Sequence, residues 1–362
     1  MLIVDAHQDL AWNMLTFGRD YTQAAEETRQ REKGSHAPLH NGDTLLGWPD
    51  FQRGQVAVVF ASLFAAPARH KLGDWDTQVY TTFEQAHAIY SIQLDAYHRL
   101  VDNAPEQFRL IRTRGDLEGV LADWEQPGGE AHPVGLAVLM EGAEGVREPA
   151  ELEEWWARGV RLIGPAWAGN RFCGGTREPG PLTAEGYALL EAMAEFGFTL
   201  DLSHMDEQAA LQALDAYPKA IIASHSNALA LLKGGDSNRF LSDRALRGLI
   251  ERDGIVGVVP YNRFLAWGWT PGDGRQAVTL EAVTAQIDYI CQMAGDARHA
   301  GLGSDFDGGF GLQAAPAKID TIADLQKLIP ILAEKGYTES DIAAILGGNW
   351  LSLLRRTLPE NA

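Results

Sequence analysis

Five stretches of this 362-residue chain each end an apolar or small-residue run on a side chain that can hold a metal or carry a proton. The first runs from Leu2 into His7-Gln8-Asp9. Side chains along a strand repeat with period two, so an imidazole and a carboxylate two residues apart can point the same way. They would offer one nitrogen and one oxygen to a single divalent ion. The pattern recurs where residues 134–140 run into Glu141, 198–203 into His204, 220–224 into His225, and 300–304 into Asp305.

The composition of this set points to two ions. Three histidines, an aspartate and a glutamate oversupply one catalytic zinc, which takes three protein ligands and keeps a position open. A glutamate has two oxygens and can bridge ions about 3.5–4 Å apart, the separation found in two-metal hydrolytic sites. In this reading His7 and Asp9 hold one ion, His204 and His225 hold the other, and Glu141 lies between them. A water shared by two ions loses its proton near neutral pH and becomes a nucleophile. Asp305, left over from the ligand count, is placed to take that proton and pass it to a leaving amine.

One architecture brings strand ends together in this way. In a parallel (β/α)8 barrel the strands are apolar because both faces are covered, and the chemistry gathers at their C-terminal ends. Strand candidates lie at 2–10, 56–64, 134–140, 159–167, 198–203, 220–224, 255–259 and 300–304. Helical spacing separates most of them, at 81–101, 243–252 and 280–293, with two or three further helices in 322–354. Thr183 is placed to open another helix that carries Leu189, Leu190, Met193 and Phe196, and Gly197 to stop it. Residues 22–43 read as a polar loop or short helices, with His36 and His40 as solvated loop residues, and 169–180 as a glycine-rich loop. His87 and His98 read as helix-surface residues. With no linker or internal repeat, residues 1–362 are expected to form a single TIM-like barrel domain.

Composition narrows the function. Thirty Lys and Arg stand against 49 Asp and Glu, a net charge of -19, which argues against nucleic acid or an anionic membrane as partner. The two cysteines, Cys173 and Cys291, form no Cys-x-x-Cys motif, so neither a disulfide framework nor a thiolate zinc cluster is indicated. The chain enters a core-like strand directly, without signal-like sequence, and has no apolar run long enough to span a membrane. A cytoplasmic location is expected. No Gly-x-Gly-x-x-Gly follows a strand, which disfavours a dinucleotide enzyme.

The sequence resembles the membrane (renal) dipeptidase family of the amidohydrolase superfamily. The resemblance is carried by Asp5-Ala6-His7-Gln8-Asp9-Leu10, Glu141-Gly142, Leu182-Thr183 through Gly186, and Asp201-Leu202-Ser203-His204. It continues through Ser224-His225-Ser226-Asn227-Ala228, Ser304-Asp305-Phe306-Asp307-Gly308 and Gly347-Gly348-Asn349. It implies a distorted amidohydrolase-type barrel and the two-zinc assignment above, with Asp305 as general acid and base. It also implies an arginine for the substrate's free carboxylate, and Arg239 stands at the matching place. Two positions depart from the pattern. Phe240 follows that arginine where the family usually has Asn, and Trp167 ends the fourth strand where it commonly has His. An indole N–H donates a hydrogen bond but carries no charge. Trp167 could polarise a carbonyl, or nearby Asn170 or Arg171 could supply the donor, and Tyr261 could line the pocket. The expected function is a binuclear zinc dipeptidase, with a homodimer as the family's usual state. Trp167 and Phe240 keep open another amide or ester, such as an N-acyl amino acid or a lactone. A non-enzymatic ligand-binding barrel is the remaining alternative.

Overall fold

Eight runs of residues that are buried on both faces pair in parallel and close on themselves. In the structure, a computed structural model, residues 1–125 and 132–361 are described. The strands are β1 (Ile3–Gln8), β2 (Val56–Phe64), β3 (Val134–Glu141), β4 (Val160–Gly164), β5 (Thr199–Asp201), β6 (Ile221–Ile222), β7 (Val256–Val258) and β8 (Ala300–Leu302). Each pairs with the next in chain order, and β8 returns to β1 through Asp5 and Leu302. Ala223 and Val256 bridge β6 to β7 and complete the ring. This is the (β/α)8 barrel that the strand pattern predicts.

Alternate residues of the strands go to two apolar layers. Val4, Ala6, Phe60, Leu139 and Ile222 come from strands on opposite sides of the ring yet form one cluster, so they fill its interior. Trp350 and Leu353, on the last helix (Asn349–Thr357), join that cluster. Ile3, Val59, Val138 and Ile163 belong to the other cluster, shared with the surrounding helices. Phe60 is fully buried, and its truncation to Ala would cost about 3–5 kcal/mol. That is a large part of the ~5–15 kcal/mol margin of a typical domain.

The caps follow the local sequence. The Thr183 hydroxyl accepts from the Gly186 N–H at 3.0 Å and starts the helix Ala184–Phe196, and Gly197 ends it in a left-handed conformation. Residues 22–43 form the short helices Ala25–Glu32 and Ala37–Asn41.

Two features distort the ring. A three-residue strand, Phe108–Leu110, pairs with Val134–Leu136 on the side where β4 joins β3 only from Val138. At the other side the backbone closes tightly. A methyl group on either Gly257 or Gly303 would lie 1.9 Å from the Ser224 carbonyl oxygen. Only glycine lets the ends of β7 and β8 approach the segment that carries His225.

The loops depart from expectation at one place. The glycine-rich stretch is a small antiparallel hairpin, Cys173–Gly175 with Glu178–Leu182. Glu178 ties it to the loop after β2 by accepting from Arg69 Nε at 2.7 Å, with His70 Nε2 at 2.8 Å.

Candidate metal centre

The expected ligands meet at the C-terminal mouth of the barrel. Glu141, the last residue of β3, turns one oxygen each way. Its Oε2 lies 3.2 Å from His7 Nε2, and its Oε1 lies 3.0 Å from His204 Nε2 and 3.3 Å from His225 Nε2. Asp9 Oδ1 is 3.7 Å from His7 Nε2, and Asp305 Oδ1 is 4.0 Å from it. Two candidate ligand groups share Glu141, one with His7 and Asp9 and the other with His204 and His225. All six side chains are buried or nearly so.

Local structure explains how each is aimed. Asp9 occupies the N-cap of the helix Leu10–Phe17, yet its side chain makes no cap hydrogen bond. It turns to the site instead and accepts from the Ser62 hydroxyl of β2. His204 and Asp305 adopt positive φ, 68° and 56°. Residues other than glycine rarely sit there, and such positions concentrate at functional sites. A methyl on Gly308 would fall 2.0 Å from Asp305 Oδ1, so that glycine makes room for the carboxylate. Asp307, also left-handed, is fully buried and anchors the same turn, accepting from Arg19 Nη1 at 2.9 Å and Tyr21 Oη at 3.0 Å.

A second ring of hydrogen bonds orients two of the histidines. His204 Nδ1 is 2.9 Å from Thr176 Oγ1 at the hairpin turn. His225 Nδ1 is 2.7 Å from Ser224 Oγ, which donates to Asp201 Oδ2. Both arrangements leave Nε2 free to ligate, the usual way a ligand imidazole is fixed. Sequence reasoning did not assign Thr176, Ser62 or Asp201 a role.

Protons alone serve this cluster poorly. His204 Nε2 and His225 Nε2 stand 3.0 Å apart and compete for one glutamate oxygen. Among the described residues neither buried ring nitrogen of His7 has an aligned hydrogen-bond partner, although Nε2 lies 3.2 Å from Glu141 Oε2. Burial opposes the charge of Glu141, but His7 and the hydrogen bonds from His204 and His225 hold its carboxyl well below the usual range. Burial also opposes charge on His7, where Glu141 and Asp9 prevail and raise it well above an ordinary imidazole. Burial, with Arg239 nearby, lowers His204 to about 4, and burial with His7 lowers His225. Burial, reinforced by Asp9 and Glu141, pushes Asp305 well up. Three buried imidazoles around one buried carboxylate fit a divalent cation, with three protein ligands in each group and room for a further one.

The site opens into a cavity of about 700 Å³. Arg239 lines it, buried, donating from Nη1 to Ser226 Oγ at 3.0 Å and from Nη2 to the His225 carbonyl at 2.8 Å. Among the described residues its Nε has no partner. Trp167 forms part of the wall, its ring 6.0 Å from that of His204 and 5.2 Å from Phe64. Tyr261 lines the cavity and stacks on Phe310 at 4.2 Å.

Asn170 corrects an expectation. Its amide donates to Glu144 Oε1 and the Pro165 carbonyl, and its Oδ1 accepts from Phe172 and Cys173 N–H, so it braces its own loop rather than facing substrate. His40 is exposed, as its reading as a solvated residue expects, and it also lines the cavity rim and stacks on Trp75 at 4.4 Å. His87 and His98 hold backbone carbonyls of Gly145 and Arg158.

Histidines and carboxylates converging at the mouth of such a barrel define the class of metal-dependent hydrolases. The sequence matches the family model for membrane dipeptidase (peptidase family M19) over residues 1–360. A curated relative, an uncharacterized protein in the pqqA 5' region of Klebsiella pneumoniae, is 32% identical over 275 residues, covering 73% of this chain and 94% of that one. The dipeptidase aclJ of Aspergillus oryzae is 26% identical over 97% of this chain and 77% of its own. A metallo peptidase from Rhodobacter sphaeroides, solved with a phosphinate mimic of the dipeptide L-Ala-D-Ala, shares the fold with a TM-score of 0.78 and 24% identity, over 99% of each chain. The chain therefore belongs to the membrane dipeptidase family and is a metallo-dipeptidase. No helix among the described residues is long and apolar enough to cross a membrane.

Proposed function

We propose that this enzyme is a binuclear zinc dipeptidase whose substrates carry a free carboxylate. One observation carries the reading: the two oxygens of Glu141 are divided between His7 on one side and the His204–His225 pair on the other. His7, Asp9 and Glu141 would hold one ion, and His204, His225 and Glu141 the other. Two zinc ions held there would polarise the scissile carbonyl and acidify the attacking water.

The chain's own residues supply the remaining steps. Asp305 stands next to the cluster without being needed as a ligand. Its carboxylate accepts the proton released by water at Oδ1 and returns it to the departing amine nitrogen, as a general base and then a general acid. Arg239 is buried and donates only to neutral oxygens. A guanidinium so placed suits a substrate carboxylate, which it would fix at a constant distance from the reacting bond. Trp167 and Tyr261 line the space above.

A second reading is favoured by Trp167, which puts an uncharged ring beside His204. It turns the same site to N-acyl amino acids or other amides and esters. The deciding experiment is hydrolysis of L-L and L-D dipeptides, with N-acyl amino acids alongside, by protein of measured zinc content. Dipeptide turnover with two zinc ions per chain is expected. Full activity with one ion per chain would overturn the binuclear assignment, and turnover of N-acyl substrates alone would establish the second reading.

A further inference from the structure

We infer that the carboxyl-terminal residue of the preferred substrate bears a large apolar side chain, received by Phe240, Phe264 and Trp267. This rests on the reading that Arg239 takes the substrate carboxylate. The side chain of that residue branches from the carbon bonded to the carboxylate, so whatever surrounds Arg239 must meet it. The surroundings are aromatic. The ring of Phe264 is centred 5.2 Å from the Arg239 guanidinium carbon. Phe240 meets Phe264 edge to face at 5.1 Å and Trp267 at 6.1 Å. All three rings line the cavity.

Trp267 is the telling member. It remains 42% exposed, whereas Phe240 is 7% exposed. Gly235 lies beneath its ring, where a methyl would come within 3.3 Å. An exposed indole presented to a cavity is apolar surface that a ligand can cover, and aromatic rings favour such edge and offset contacts. Size points the same way. The cavity, about 700 Å³, extends from the metal centre to these rings and has room for a large side chain there. Besides Arg239, the exposed charged side chains of Arg177 and Arg263 line the cavity.

The test uses metal-loaded enzyme and a series Ala-X with X as Ala, Leu, Phe, Trp and Glu. The expected kcat/KM for Ala-Phe exceeds that for Ala-Ala by about tenfold or more, the scale on which an apolar pocket discriminates. In Trp267→Ala the ratio falls toward one. Dissociation constants of phosphinate dipeptide analogues ending in Phe or Ala, measured by calorimetry, follow the same order and lose it in the variant. Equal kcat/KM across the series, or a lead for Ala-Glu through Arg263, overturns the inference while the dipeptidase reading stands. No turnover of any dipeptide with metal bound overturns that reading and the inference with it.

Discussion

The two halves of the metal centre are built differently. On the His204–His225 side each imidazole is held from behind, by Thr176 and by the Ser224–Asp201 pair. On the His7–Asp9 side only the carboxylate is held from behind, by Ser62, and among the described residues nothing holds His7 Nδ1. One half is set by the polypeptide before any ligand arrives. The other is set by strand geometry and by packing, with the His7 ring stacked on His225 at 3.7 Å. Glu141 joins them, and Asp305 stands against both, grouped with His7 of one half and His225 of the other. The centre thus joins a pair of hydrogen-bonded imidazoles to a pair held by packing and one hydroxyl, through one shared carboxylate.

The largest effect is expected where the halves meet. Glu141→Gln should lose metal from both and lower the rate by ~10³-fold or more, the scale of several kcal/mol of Lewis-acid stabilisation. Two ions retained at full affinity, by elemental analysis after dialysis, would break the bridge. Asp305→Asn should lower kcat by at least about a hundredfold while metal content stays the same. Unchanged turnover would remove Asp305 from proton transfer. The halves can then be separated. Asp201→Asn should weaken one of two zinc-binding steps by ~10–100-fold, and Ser62→Ala the other, as for residues that orient metal ligands. Equal weakening of both steps by either variant would mean that the halves act as one unit.

The smallest effect lies in the hairpin that carries Thr176. Arg69, then His70, holds the Glu178 carboxyl at about 2, below its ordinary value of about 4.5. A carboxylate lowered on folding stabilises the folded state above the unfolded value and loses that contribution as pH falls through the folded one. Glu178→Gln should therefore cost no more than about 1 kcal/mol at pH 7, because the group is partly exposed. The difference in denaturation midpoint should vanish near pH 2. A constant difference across that range would show that the pair contributes packing rather than charge.

The same contrast explains what was legible in the sequence. Every residue now at the centre closes an apolar strand, and burial on both faces made those strands readable. Two of the supporting residues also left a signal. Ser62 is the only polar residue in β2, and Asp201 is a carboxylate inside a buried strand. Either could have been read as serving a ligand. Thr176 could not, because its partner lies 28 positions away and its hairpin is made of glycine and proline without alternation. The strand Phe108–Leu110 is too short to show a period. Asn170 misled because closeness in sequence to Trp167 says nothing about side-chain direction, and its loop turns it toward Glu144. His40 reached the cavity rim through Trp75, 35 residues on, which no local pattern reports.

The left-handed backbone at His204, Asp305 and Asp307 bears on any attempt to make this enzyme sturdier. Conformations of this kind cost of order 1–3 kcal/mol each, and glycine would relieve that cost at once. A library ranked by melting temperature alone would draw glycine into positions 204 and 305, which hold a ligand and the proton carrier. Heat resistance and turnover would then rise and fall in opposite directions across the same few residues. Engineering for durability should leave both turns untouched and work on the outer helices.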